Sequence, residues 1–136
     1  MIDTAQEFLD LRCSRKQEDY LRAASDYAPS HVWLEIITNH PEMRSWVAQN
    51  KTVPVEILDS LSMDANPAVR IAVAMKNKLP LRLFDVLADD EESAVRERLA
   101  FNKNTPVEVL QRLVKDTSEP VAHQARERLR LLGIAS

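Results

Sequence analysis

Three arginines, Arg44, Arg70 and Arg96, stand 26 residues apart, and three aspartates, Asp64, Asp90 and Asp116, repeat the same interval. Asp64 lies six residues ahead of Arg70, and Asp90 six ahead of Arg96. A bare row of guanidiniums is the chemistry that grips phosphates. Here the carboxylates recur in step with the arginines. The spacing therefore predicts a structural ladder, in which each aspartate caps the following helix and pairs an arginine to tie adjacent units together.

Other charged and aromatic residues fall into registers of the same length. Lys51, Lys76, Lys78 and Lys103 occupy one set of turns; Asp64, Asp89, Asp90, Glu91, Glu92, Asp116 and Glu119 occupy the other. Stacking would put these sets on opposite rims. Helix-terminus complementarity accounts for such a pattern, and a rim of seven carboxylates also suits steering of a basic partner. Trp46 shares a column with Ala72, Arg98 and Gln124. That column reads as near-surface, so Trp46 is a candidate binding anchor; the structural reading has it packed beside Trp33 and Tyr27. Glu56, Asp59, Arg82, Asp85, Glu108, Gln111 and Arg112 are the polar positions of a second set of helices. They form a mixed, slightly acidic candidate groove with four acids against two bases.

Nothing else in the chain reads as reactive. His31, His40 and His123 sit at polar-lined positions without metal-pair spacing, and Cys13, the single cysteine, has no nearby base. One glycine in 136 residues, Gly133, excludes a P-loop, a dinucleotide fingerprint and a nucleophile elbow, since each needs close backbone approach or positive φ. No metal or organic cofactor is expected. A formal charge of −3 gives no general attraction for nucleic acid or anionic lipid. Neither a membrane-spanning run nor a signal-peptide pattern is present, so a cytoplasmic setting is expected.

The elements that must position these residues are legible from punctuation. Prolines at 29, 41, 54, 67, 80, 106 and 120 are spaced 12, 13, 13, 13, 26 and 14 residues apart, one mark being missing. Proline suits helix starts and opposes helix interiors, so each interval should hold one short helix and a turn. At a shift of 26, Pro41–Asp64, Pro67–Asp90 and Ser93–Asp116 align as three copies. Apolar columns run through Val47, Val73, Leu99 and Ala125, and through Leu61, Leu87 and Leu113, with small Ala48, Ala74 and Ala100 between. Apolar residues at i, i+3/i+4 spacing make both halves amphipathic helices, the first of eight or nine residues and the second of about ten. Thr105-Pro106-Val107-Glu108 reads as a capping box with proline at the first helical position. Ser14-Arg15-Lys16-Gln17 reads as another, opening a helix to about Tyr27. Val32, Trp33 and Ile36 fall in core columns, and Gly133 is expected to cap the final helix.

A 26-residue helix pair cannot bury its apolar face alone, so neighbours must stack. The expected fold is a single all-α domain over 1–136: an α-solenoid of short paired helices without sheet, with capping helices at 1–38, three regular repeats at 39–116, and a C-terminal cap at 117–136. Asn66-Pro67-Ala68-Val69-Arg70 through Pro80 to Leu87-Ala88-Asp89 resembles the leucine-rich repeat variant motif, P-x-V-R-x-x-V-A, a turn, then P-x-x-L-L-x-x-L-x-x-D. The resemblance covers roughly residues 39–129 and extends more loosely to HEAT-like repeats. It implies a curved right-handed stack of short helices, some 3₁₀, used mainly as a binding scaffold. The iron–sulfur cluster of one variant-family member is not implied, because its cysteines are missing here.

The expected function is a non-enzymatic, monomeric protein-binding scaffold or adaptor, including an immunity- or antitoxin-type protein that sequesters one basic partner. The alternative is a HEAT-like DNA-binding or alkylpurine-glycosylase-like protein using Trp46, Glu56 and Asp59. The groove's acidic balance disfavours nucleic acid.

Overall fold

A computed structural model describes residues 1–135, which form ten α-helices and one 3₁₀ turn with no strand among them. In chain order the helices are α1 (Ala5–Cys13), α2 (Gln17–Ser25), α3 (Ser30–Asn39), α4 (Arg44–Gln49), α5 (Val55–Leu61), α6 (Pro67–Ala74), α7 (Leu81–Ala88), α8 (Ser93–Phe101), α9 (Val107–Leu113) and α10 (Glu119–Leu131). The 3₁₀ turn, Pro41–Met43, leads directly into α4.

The proline rhythm sets these boundaries: Pro67 is the first residue of α6 and Pro120 lies in the first turn of α10, as expected, but the second helices differ. Pro54, Pro80 and Pro106 are the N-cap residues of α5, α7 and α9, with extended ψ of 155°, 150° and 150°, and not their first helical residues. The second helices are consequently seven, eight and seven residues long, shorter than the expected ten. Thr105 does not cap α9. It shares a column with Val53 and Leu79, so it turns inward, and its buried hydroxyl donates to the Leu99 carbonyl at 2.6 Å. The N-terminal box also differs: α2 ends at Ser25, and Ser14 Oγ accepts from Lys16 N and donates to Asp19. Gly133 does act as a cap. Its φ is +75°, its N–H donates to Arg130 O, and Ile134 N–H reaches Leu129 O, the bonding of a Schellman end.

Packing follows the apolar columns. Val47, Val73, Leu99 and Ala125 are fully buried, as are Ala48, Ala74 and Ala100. Alanine lets adjacent backbones approach closely, and α4 packs on α6, α6 on α8 and α8 on α10. The second helices lie farther apart, α7 meeting α9 across a looser contact. One continuous core extends from Ile2 to Leu129. At the N-terminal end Phe8 and Trp33 meet edge to face at 5.5 Å and close the stack with a large aromatic plug. Replacing Phe8 by alanine would cost about 3–5 kcal/mol by the usual core-cavity scale.

Candidate functional site

The arginine and aspartate columns meet in space. Arg44 pairs Asp64, Arg70 pairs Asp90 and Arg96 pairs Asp116, each across 20 residues at 2.8–3.0 Å. The last two pairs are bidentate, with Nε and Nη2 each donating to one carboxylate oxygen. The same arginines reach back across the unit boundary. Arg70 Nη1 donates to the Asp64 carbonyl at 2.7 Å, and Arg96 Nη1 to the Asp90 carbonyl at 2.6 Å. Arg44 has no earlier aspartate of this column and donates to Ile37 O instead. Each aspartate also accepts from the backbone N–H two residues on: Asn66, Glu92 and Ser118. Those residues are the N-caps of α6, α8 and α10, so the carboxylate sets the chain's entry into the helix while anchoring the arginine.

This ladder is sealed from solvent at its centre, where the side chains of Arg70 and Asp90 are 8% and 6% exposed. Hydrogen bonding to Asp90 raises the Arg70 pKa above the ordinary guanidinium value, and Asp116 does the same for Arg96. Burial works to raise the Asp116 carboxyl, yet bonds from Arg96 and Ser118 N–H hold it below the usual carboxylate range. The planes of the Arg70 and Arg96 guanidiniums are thus committed to a carboxylate on one side and a backbone carbonyl on the other, and their burial leaves little room for a phosphate.

A second ladder runs along the opposite edge. Asn50, Lys76, Asn102 and Arg128 are one 26-residue column, and each is a donor to the preceding unit. Lys76 Nζ donates to Ala48 O and Asn50 O at 2.8 and 2.7 Å; Asn102 Nδ2 donates to Ala74 O and Lys76 O at the same two distances. Asn50 reaches Ala23 O and Asp26 O, and Arg128 reaches Lys103 O at 3.4 Å. These carbonyls end the first helices or begin the turns after them, where no intrahelical donor remains. Asn50 and Asn102 also accept from N–H groups two residues ahead, Thr52 and Asn104. Lysine cannot accept. Burial lowers the Lys76 pKa to about 8, so the ammonium still prevails at neutral pH. Lys76 is therefore a clamp between units and not a free rim charge. The mixed residue types hid this column from the sequence, although a shared donor in every copy was its available signal.

The expected acidic rim is largely neutralised. Of its seven carboxylates, five are held by arginines: Asp64 by Arg44, Asp90 by Arg70, Asp116 by Arg96, Asp89 by Arg112 and Glu119 by Arg126. Only Glu91 and Glu92 make no ion pair among the described residues. The candidate groove is also cross-linked. Arg82 binds Asp59 through both carboxylate oxygens, and Arg112 bridges Asp85 and Asp89. Glu56 and Glu108 stay exposed on the same helices. These pairs are solvent-exposed, so each contributes under about 1 kcal/mol.

Trp46 is 39% exposed, and its face is covered by the Arg12 guanidinium, 3.6 Å from the ring centroid, with Tyr20 on the same cation at 5.0 Å. Trp33 is buried edge to face against Phe8, and Tyr27 is exposed. Of the residues of the glycosylase-like alternative, the Trp46 indole stacks on Arg12, Asp59 is held by Arg82 and Glu56 is exposed. Cys13 is exposed. Among the described residues no cluster of three metal-ligating side chains occurs, and no helix is long and apolar enough to cross a membrane. The chain matches no protein-family model, no curated protein and no solved structure.

Proposed function

We propose that this chain is a protein-binding scaffold, an α-solenoid of 26-residue helix pairs resembling the leucine-rich repeat variant and HEAT-like families. The observation that carries this reading is the repeated clamp, in which each unit is bonded to the next along both edges. Such a stack holds its exposed side chains in fixed positions, which lowers the ordering cost of binding a partner. The closer packing of the first helices supports a stack curved toward their layer. On this reading the ion-paired face of the second helices lies outside the curve and offers a partner few unpaired charges.

The polar clusters of the fold are consumed in holding it together, so the reading is non-enzymatic. Sequestering one partner, as immunity proteins and antitoxins do, suits a small rigid scaffold of this kind. The test is affinity capture from the source organism's lysate with the intact chain as bait, followed by mass spectrometry. One protein retained in stoichiometric amount is the expected result. Sub-micromolar binding of duplex DNA at low salt, without a captured protein, would overturn the reading.

A further inference from the structure

The two edges of the molecule differ in how much charge they leave unpaired. On the edge carrying the arginine–aspartate ladder, five of seven carboxylates are already engaged. On the opposite edge Lys51, Lys78, Lys103 and Arg98 make no ion pair among the described residues. Between the ends of α6 and α8 on this edge lies an open cavity of about 150 Å³, lined by Met75, Asn77, Arg98, Phe101, Asn102 and Lys103. Met75 and Phe101 are 49% and 50% exposed. Helix-dipole complementarity explains cations near helix C-termini. It does not explain a large thioether and a phenyl ring left in solvent between them.

We propose that this cavity docks an acidic segment of a partner protein, in which one large apolar side chain is flanked by aspartate or glutamate. The assignment rests on the scaffold reading above and supplies the chemistry of its partner. It reverses the sign of partner expected from the acidic turns. The apolar side chain would lie against Met75 and Phe101, whose thioether and ring adapt readily to aliphatic or aromatic contacts. Flanking carboxylates would meet Arg98 and Lys103, which have no competing carboxylate. The walls are preorganised, because Asn102 itself bonds α8's unit to Ala74 O and Lys76 O of the unit before.

The test is fluorescence anisotropy with a labelled twelve-residue peptide bearing one phenylalanine between runs of aspartate and glutamate. Three controls accompany it: a lysine/arginine version, an acidic version with serine replacing phenylalanine, and sedimentation of the protein alone. Micromolar binding of the first peptide is expected, weakened at least about tenfold by Arg98→Glu with Lys103→Glu, or by Phe101→Ser, and weakened by salt. Lys51→Glu should leave it nearly unchanged. Thermal melts equal to wild type for these surface variants confirm that a loss is local.

Preference for the basic peptide, equal binding of the serine peptide, or no binding at millimolar concentration would overturn the site. Self-association abolished by the same variants would assign the cavity to a second copy of the chain and would also overturn it. Each of these failures leaves lysate capture free to succeed, so the scaffold reading stands or falls separately.

Discussion

The arginine–aspartate edge and the asparagine–lysine edge do the same mechanical work by different chemistry. Both reach across a unit boundary to backbone carbonyls: Arg70 to Asp64 O, and Lys76 to Ala48 O and Asn50 O. The first edge adds a carboxylate to each cation and so closes on itself. The second uses donors of three kinds and leaves the neighbouring cations unmatched. A regular charge pattern thus marks internal structure here, and the irregular edge is where charge remains available.

The largest effect that sharpens this contrast is expected from Arg70→Ala. The change strips a carboxylate that is 6% exposed and also frees the Asp64 and Ala65 carbonyls. Removing one partner of such a buried pair costs about 2–4 kcal/mol. Chemical denaturation should show that loss for Arg70→Ala and within about 0.5 kcal/mol of wild type for exposed Lys78→Ala.

Next in size is Lys76→Met, which leaves the Ala48 and Asn50 carbonyls without donors and should cost about 1–3 kcal/mol. Lys76→Asn should recover most of it. Asparagine makes the equivalent bonds at 50 and 102 and there also accepts the N–H two residues ahead. A Lys76→Asn protein no more stable than Lys76→Met would break the equivalence of the column.

A smaller effect appears against pH. The folded-state pKa of Lys76 is lowered to about 8 from 10.5, so the unfolded chain binds the proton more tightly. Burying the charged form therefore opposes folding fully below about pH 8, and the penalty fades as pH rises toward 10.5. Measured against Lys76→Asn, which has no titrating group there, wild type should gain stability as pH rises from about 8 to 10.5. Asp116 acts in the other direction. Its lowered pKa stabilises the fold above the ordinary carboxylate value and is lost as pH falls through the folded value, so Asp116→Asn should flatten the acid limb of the stability curve.

The smallest effect is expected on the second-helix face. Arg82→Ala breaks a pair whose members are 59% and 41% exposed, and it should cost under about 1 kcal/mol, diminishing with salt.

What the sequence made legible follows the same division. The helix pairs, the alanine contacts and the arginine–aspartate columns were readable because identical residues recur at 26, and geometry keeps identical residues in identical places. Thr105 was misread because local capping chemistry competes with a core column, and the column prevailed once neighbouring units buried it. The ion pairs Asp59–Arg82 and Asp85–Arg112 span 23 and 27 residues, so they follow no single period and had to be seen in space. Arg12 covering Trp46 lay hidden for a related reason: it comes from α1, outside the repeats.

The central claim is that the repeated arginines are bound up in holding the fold together and are not free to bind a partner. A double-mutant cycle over Arg70 and Asp90, beside one over Arg82 and Asp59, tests it most directly by equilibrium unfolding. A coupling of roughly 1.5–3 kcal/mol for the first pair and under about 0.5 kcal/mol for the second is expected. Additive losses at Arg70 and Asp90, in proteins as stable as the Arg82 and Asp59 variants, would contradict the account and make the arginine column a surface free to bind.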